Sequence, residues 1–140
     1  MASIWWEEPV EAPAEATWAA LRRADAAHHL FAPVLVDAAM AGDIRTVTFA
    51  NGLVARERII NIDEQRQRIS YAVLGDLFDY HSASMQIVPV DAQRCRLVWI
   101  SDFLPAEREE TVRPLVKQGA QAFARNVESG KVGSEDVPRP

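Results

Sequence analysis

Glu57 is the acidic residue whose neighbours give it the clearest chemical meaning. It lies in Val54-Ala-Arg-Glu-Arg-Ile-Ile60 with Ala55 two positions before it and Ile59 two after. In a strand those three side chains share one face. A carboxylate on an otherwise apolar face needs a cation or hydrogen-bond donor to keep its charge. Three uses follow: an anchor for a polar group of a ligand, a structural carboxylate tied to Tyr80, a Thr or a buried water, or a general acid/base. Tyr80 and Ser82 alternate onto one strand face, which points His81 the other way and marks it as a surface residue. His28 and His29 have no acidic or Cys ligand at a matching spacing, so no metal site is expected. Cys95 has no adjacent base and reads as buried rather than nucleophilic. A Gly-rich phosphate loop, a Ser nucleophile elbow and a paired metal motif are all missing, and no cofactor is expected.

The composition sets the frame for these residues. The 140 residues carry 15 Lys+Arg against 20 Asp+Glu, a formal net charge of −5. That acidic excess disfavours a nucleic-acid partner, whose backbone is bound by clustered cations. No run approaches the roughly 18 apolar residues of a membrane-spanning helix, and the N-terminus lacks the pattern of a signal peptide. One cysteine cannot form an internal disulfide, which fits a reducing, cytoplasmic setting. The expected layout is one domain over 1–130 and a flexible tail over 131–140, where two prolines and little apolar content follow Gly130.

The elements are legible from patterning. A strand around Ile4–Val10 precedes a helix from Pro13 to about Arg23, with Trp18 and Leu21 on its apolar stripe. Asp25 is a candidate cap for a second short helix, Ala26–Phe31, stopped by Pro33. Strands are then expected at Val34–Ala38, Asp43–Ala50, Leu53–Ile62, Gln67–Leu74, Asp79–Val90 and Arg94–Leu104. Asn51-Gly52 suggests a two-residue type I′ hairpin turn. The chain closes on a long helix within Ala106–Ser129. Val112, Leu115, Val116, Gly119, Ala120, Phe123 and Val127 form its apolar face, and Pro114 must fall in the first turn or kink it. The fold class is α+β: a curved antiparallel sheet of six to seven strands wrapped around a long C-terminal helix, with two short helices after the first strand. Where such a sheet and helix part, a cavity is left, the usual form of a small-molecule site.

This order of elements resembles the START-like, birch-pollen-allergen-like helix-grip superfamily, and more narrowly its polyketide cyclase/dehydrase and lipid-transport group (SRPBCC). The likeness runs from about Trp5 to Glu128. It rests on Pro13-Ala-Glu-Ala-Thr-Trp-Ala-Ala-Leu21, Arg45-Thr-Val-Thr-Phe-Ala-Asn-Gly52, Arg56-Glu-Arg-Ile-Ile60, Ser70-Tyr71, Asp79-Tyr80, Val98-Trp99, Phe103 and the terminal helix. Similarity to the plant abscisic-acid receptors, more distant members, implies pocket positions at Ala55, Glu57, Tyr71, Val73, Tyr80, Ser82, Trp99, Leu115 and Gly119. The latch and gate loops of those receptors have no counterpart, so no hormone-receptor role is implied.

Pairing across a two-residue Asn51-Gly52 turn sets Thr48 opposite Ala55 and Thr46 opposite Glu57. Ile44, Thr46, Thr48, Ala55, Glu57 and Ile59 then form the inner face. Arg45, Val47, Phe49, Val54, Arg56 and Arg58 form the outer one, where guanidiniums meet water. Tyr71 falls on the Arg58 side unless a β-bulge near Asn61 shifts the register. The expected activity is binding of a small, largely apolar, lipid- or polyketide-like molecule between sheet and helix. Thr46, Thr48, Glu57, Tyr71, Tyr80, Ser82 and Trp99 would supply walls and polar points. One alternative is a polyketide aromatase/cyclase using Glu57 and Tyr80. A second is a protein-interaction module with a collapsed cavity, and either a monomer or a homodimer would serve.

Overall fold

The computed structural model describes residues 2–130; the tail expected over 131–140 lies outside them. Seven strands form one antiparallel sheet: β1 (Ala2–Val10), β2 (Leu35–Ala41), β3 (Ile44–Phe49), β4 (Val54–Asp63), β5 (Arg68–Leu74), β6 (Tyr80–Pro89) and β7 (Cys95–Leu104). Their order is β1-β7-β6-β5-β4-β3-β2. The meander from β2 to β7 is thus unbroken, and β1 joins its last strand. Helix α1 (Ala14–Leu21) ends two residues before the expected Arg23. A 3-10 turn, Ala24–Ala26, then leads into α2, Ala27–Leu30. Asp25 sits inside that turn without capping it and pairs instead with Arg23. The second strand starts at Leu35 and runs to Ala41, longer than the expected Val34–Ala38.

The long helix α3, Glu109–Glu128, follows a 3-10 turn at Ala106–Arg108. Pro114 is the sixth residue of α3, past its first turn. The carbonyl it leaves without an N–H partner is that of Glu110. Both residues are exposed, so water can take the proton's place. The opposite stripe is apolar: Val116, Ala120, Phe123 and Val127 are buried. That stripe packs α3 across β1 and β7, while α2 covers β2 and touches α3. Asn126 fixes the last of these contacts, its amide lying 2.9 Å from the Ala32 carbonyl and 3.0 Å from that of Leu30. These carbonyls at the end of a four-residue helix would otherwise lack donors.

Two local events set which side chains face α3. The β3–β4 turn spans three residues rather than two. Asn51 keeps a negative φ and its side chain accepts the Leu53 N–H at 3.0 Å, while Gly52 alone takes a left-handed φ of 93°. The register therefore slips by one from the type I′ expectation: Arg45 opposes Glu57 and Val47 opposes Ala55. A one-residue slip moves every β3 side chain to the other face. Arg45, Val47 and Phe49 point inward, and Thr46 and Thr48 lie outside the cavity wall, opposite the exposed Arg56 and Val54. The second event is a bulge between Ile59 and Asn61. With Ile60 left out of the pairing, Ile59 meets Tyr71 and Glu57 meets Val73, so all four face inward together.

Candidate functional site

Sheet and helix part over a cavity of about 140 Å³. Its wall is built from the inward rows of β3 to β7, Ala27 of α2 and Phe31 just after it, the β5–β6 loop residues Leu77 and Phe78, and the first half of α3. Of the side chains expected there, Ala55, Glu57, Tyr71, Val73, Trp99, Leu115 and Gly119 line it. Thr46, Thr48, Tyr80 and Ser82 do not. Tyr80 is 51% exposed, so Glu57 and Tyr80 do not form an acid–base pair. The reason lies in the phase of β6. Ala83, Met85 and Ile87 are its buried apolar residues, and His81 continues that odd-numbered row inward. Counting back from Met85 and Ile87 in the sequence would have placed His81 inside and Tyr80 and Ser82 outside.

Sequence pairing also missed Arg45. Its Nε donates to Glu57 Oε1 at 2.8 Å, with the two side chains only 7% and 11% exposed. Nη1 reaches the Ala24 carbonyl at 3.3 Å, and the guanidinium carbon lies 5.7 Å from the centre of the Tyr71 ring. The cation that a buried carboxylate needs is therefore supplied by the facing residue of the hairpin. Arg56 and Arg58, its neighbours in type, do stay exposed.

Two hydrogen-bond relays cross the β5–β7 wall. In the first, Trp99 Nε1 donates to the Tyr71 hydroxyl at 3.2 Å. Burial, reinforced by the charge of Glu57, holds that phenol well above its ordinary pKa and so neutral. In the second, the Val73 N–H donates to His81 Nδ1 at 3.0 Å, and His81 Nε2 lies 3.3 Å from Ser101 Oγ. The pairing of β5 with β6 ends at Tyr71–Ala83, which leaves the Val73 amide to the imidazole. An imidazole that accepts at Nδ1 carries its proton on Nε2, so His81 donates to Ser101 and cannot serve as its base. Burial pushes the His81 pKa down to about 4, against a smaller opposing pull from Asp102.

The remaining candidates are structural. Cys95 is buried, donates to Thr17 Oγ1 at 3.3 Å and has a raised thiol pKa through desolvation. The rings of His28 and His29 lie 4.0 Å apart, centre to centre and tilted by 36°, outside the cavity. Among the described residues no three His, Cys, Asp or Glu side chains converge on a metal position. Trp18 is core and donates to Glu64, while Trp5 is 63% exposed on the edge strand.

At Gly119 α3 lies close against Trp99 of this wall. A Cβ there would stand 3.1 and 3.2 Å from two atoms of the Trp99 ring. Gly119→Ala gains about 1 kcal/mol of helix propensity and sets against it the displacement of Trp99 toward the cavity. Global stability is expected to stay within about 1 kcal/mol of wild type, while the Trp99 indole N–H resonance shifts as its bond to Tyr71 breaks. An unchanged resonance would mean that the helix, not the ring, had moved.

A curved antiparallel sheet gripping one long helix, with a lined cavity between them, defines the helix-grip class. Residues 1–129 match the family model described as polyketide cyclase / dehydrase and lipid transport, and the chain belongs to that family. Among solved structures, an uncharacterised protein from Bacillus thuringiensis superposes with a TM-score of 0.82 at 14% identity, covering 90% of this chain and 98% of its own. XoxI from Bacillus cereus gives 0.82 at 14%, over 91% and 96%. Norcoclaurine synthase from Thalictrum flavum, in complex with dopamine and hydroxybenzaldehyde, gives 0.72 at 21%, over 91% and 87%. At these identities the likeness is one of fold. No curated protein matches the sequence.

Proposed function

We propose that this chain binds a small, largely apolar molecule in the cavity between the sheet and α3, as a cytoplasmic monomer or homodimer. The observation that carries this reading is the wall itself: mostly aliphatic and aromatic side chains interrupted by a few placed polar groups. The family supports it through the lipid-transport and polyketide roles in its description. A neighbour of the same fold that is seen with dopamine and hydroxybenzaldehyde adds support for small aromatic occupants. The unpaired, buried thiol of Cys95 suits a reducing compartment. Within this reading Glu57 is first a partner for Arg45. Among the described residues only one of its oxygens is engaged, and the other is available to a ligand hydroxyl or amine.

Native mass spectrometry of protein taken from its own host tests the reading. The wild type should retain one small molecule that organic extraction releases, and Leu115→Trp, which fills the cavity, should lose it. Retention of the same molecule by the filled variant, or none by the wild type, would overturn it.

A further inference from the structure

The cavity wall allows the ligand class to be narrowed by volume, charge and hydrogen-bond accounting. About 140 Å³ is close to the roughly 150 Å³ that accommodates a benzene-sized molecule in a buried apolar site. A fused polycycle or a long acyl chain needs several times that space. The buried charges on the wall cancel, because Arg45 and Glu57 pair with one another; Arg108, the other charged lining residue, is exposed. A charged ligand seated among the buried lining residues would therefore lack an unengaged buried counter-ion there, at a large desolvation cost.

The hydrogen bonds are more selective still. The Tyr71 oxygen already accepts from Trp99, and the Ser101 oxygen accepts from His81. Each hydroxyl therefore has a proton left to donate. Among the described residues no side-chain or main-chain acceptor takes either proton, although Tyr71 is 5% and Ser101 2% exposed. Both residues line the cavity. They also flank Ala83 in one cross-strand row, Tyr71 paired to it from β5 and Ser101 from β7. Each relay begins in an N–H and ends in a hydroxyl, which polarises the final O–H toward donation. Beside the free acceptor oxygen of Glu57, this row thus offers two hydroxyl donors, and the molecule that completes them carries an acceptor oxygen.

We propose that the cavity selects a neutral, single-ring-sized molecule bearing a carbonyl oxygen, which receives the hydroxyl protons of Tyr71 and Ser101. This rests on the reading that the cavity binds a small apolar molecule, and the experiment separates the two. Toluene, acetophenone, benzoate and naphthalene, the last standing for larger ring systems, are titrated by ligand-observed NMR into wild type, Tyr71→Phe and Ser101→Ala. Wild type is expected to hold acetophenone about tenfold tighter than toluene, a factor equivalent to one good hydrogen bond. It should hold benzoate and naphthalene more weakly than acetophenone. Tyr71→Phe and Ser101→Ala should each erase most of the advantage of acetophenone over toluene measured on the same variant, and a cooperative urea transition shows that the variants are folded. Equal binding of toluene and acetophenone by wild type would overturn the carbonyl assignment and leave the cavity reading standing. A preference for benzoate would overturn neutrality, and a preference for naphthalene would overturn the size limit. Failure of every probe would overturn the cavity reading along with the proposal.

Discussion

Arg45→Met is expected to lower stability by about 3–5 kcal/mol at neutral pH, the range for leaving one member of a buried ion pair without its partner. For a domain of this size that is a fall in melting temperature of roughly 10–20 °C. Removing the guanidinium strands the Glu57 carboxylate, which is 11% exposed and has no other donor among the described residues. It also leaves the Ala24 carbonyl without its donor at 3.3 Å and takes the cation from the Tyr71 ring. The chain loses, besides the pair, a strut between β3 and the 3-10 turn ahead of α2. Adding Glu57→Leu to Arg45→Met removes the stranded charge. The double variant should recover most of the loss, ending within about 2 kcal/mol of wild type, because an apolar pair of similar volume often replaces a buried ion pair without penalty. Urea unfolding of wild type, both singles and the double completes the cycle. If the double variant is as unstable as Arg45→Met alone, the cost comes from lost packing and the Ala24 contact rather than from an unpaired charge.

The pair also shows where sequence reasoning stops. The architecture was readable because hydrophobic period and turn residues act locally: all seven expected strands reappear within a few residues of their bounds, and α3 lies where its apolar stripe puts it. Facing was harder, since it depends on the parity of each turn. Asn51-Gly52 carries the residues of a two-residue turn, yet Asn51 spends its side chain on the Leu53 amide and the loop takes one residue more. That single residue put Arg45 inside and Thr46 and Thr48 outside. The β4 bulge had the opposite standing. It was needed for Glu57 and Tyr71 to share a face, and it falls at Ile60, next to the position that requirement suggested. His81 was misassigned for a simpler reason. The resemblance to distant relatives put Tyr80 and Ser82 inside, against the apolar alternation of Ala83, Met85 and Ile87 in this chain. The local pattern was the better guide, since burial is enforced by this chain's own core.

Lowering the pH from 7 to 4.5 is expected to cost the wild type about 2 kcal/mol through His81 alone, after discounting for the part of the ring that reaches solvent. Burial pushes its folded pKa down to about 4 from the usual 6.5. Between those values the unfolded chain binds a proton that the folded chain does not, so stability falls as pH drops through 6.5. The loss is complete only near pH 4, and above 6.5 the term vanishes. The geometry points the same way, because a protonated Nδ1 would face the Val73 N–H, donor against donor, at 3.0 Å. Carboxylates with lowered pKa values, among them Asp25, Asp63 and Asp91, also lose stability in acid, as does His28. A single pH curve therefore cannot isolate His81, and a difference between two proteins can. In His81→Asn the side-chain oxygen can still accept from Val73, but nothing there titrates. The ring's packing on Phe78, 4.8 Å away, and the donor to Ser101 are lost. At pH 7 this variant should be about 1–2 kcal/mol less stable than wild type. At pH 4.5 the gap should close or reverse, since only the wild type has to keep its imidazole from protonating. Urea unfolding at both pH values measures the two gaps. Parallel losses in the two proteins would mean that the imidazole is solvated well enough to protonate in place, and the tautomer assigned to the Val73–His81–Ser101 relay would fall with it.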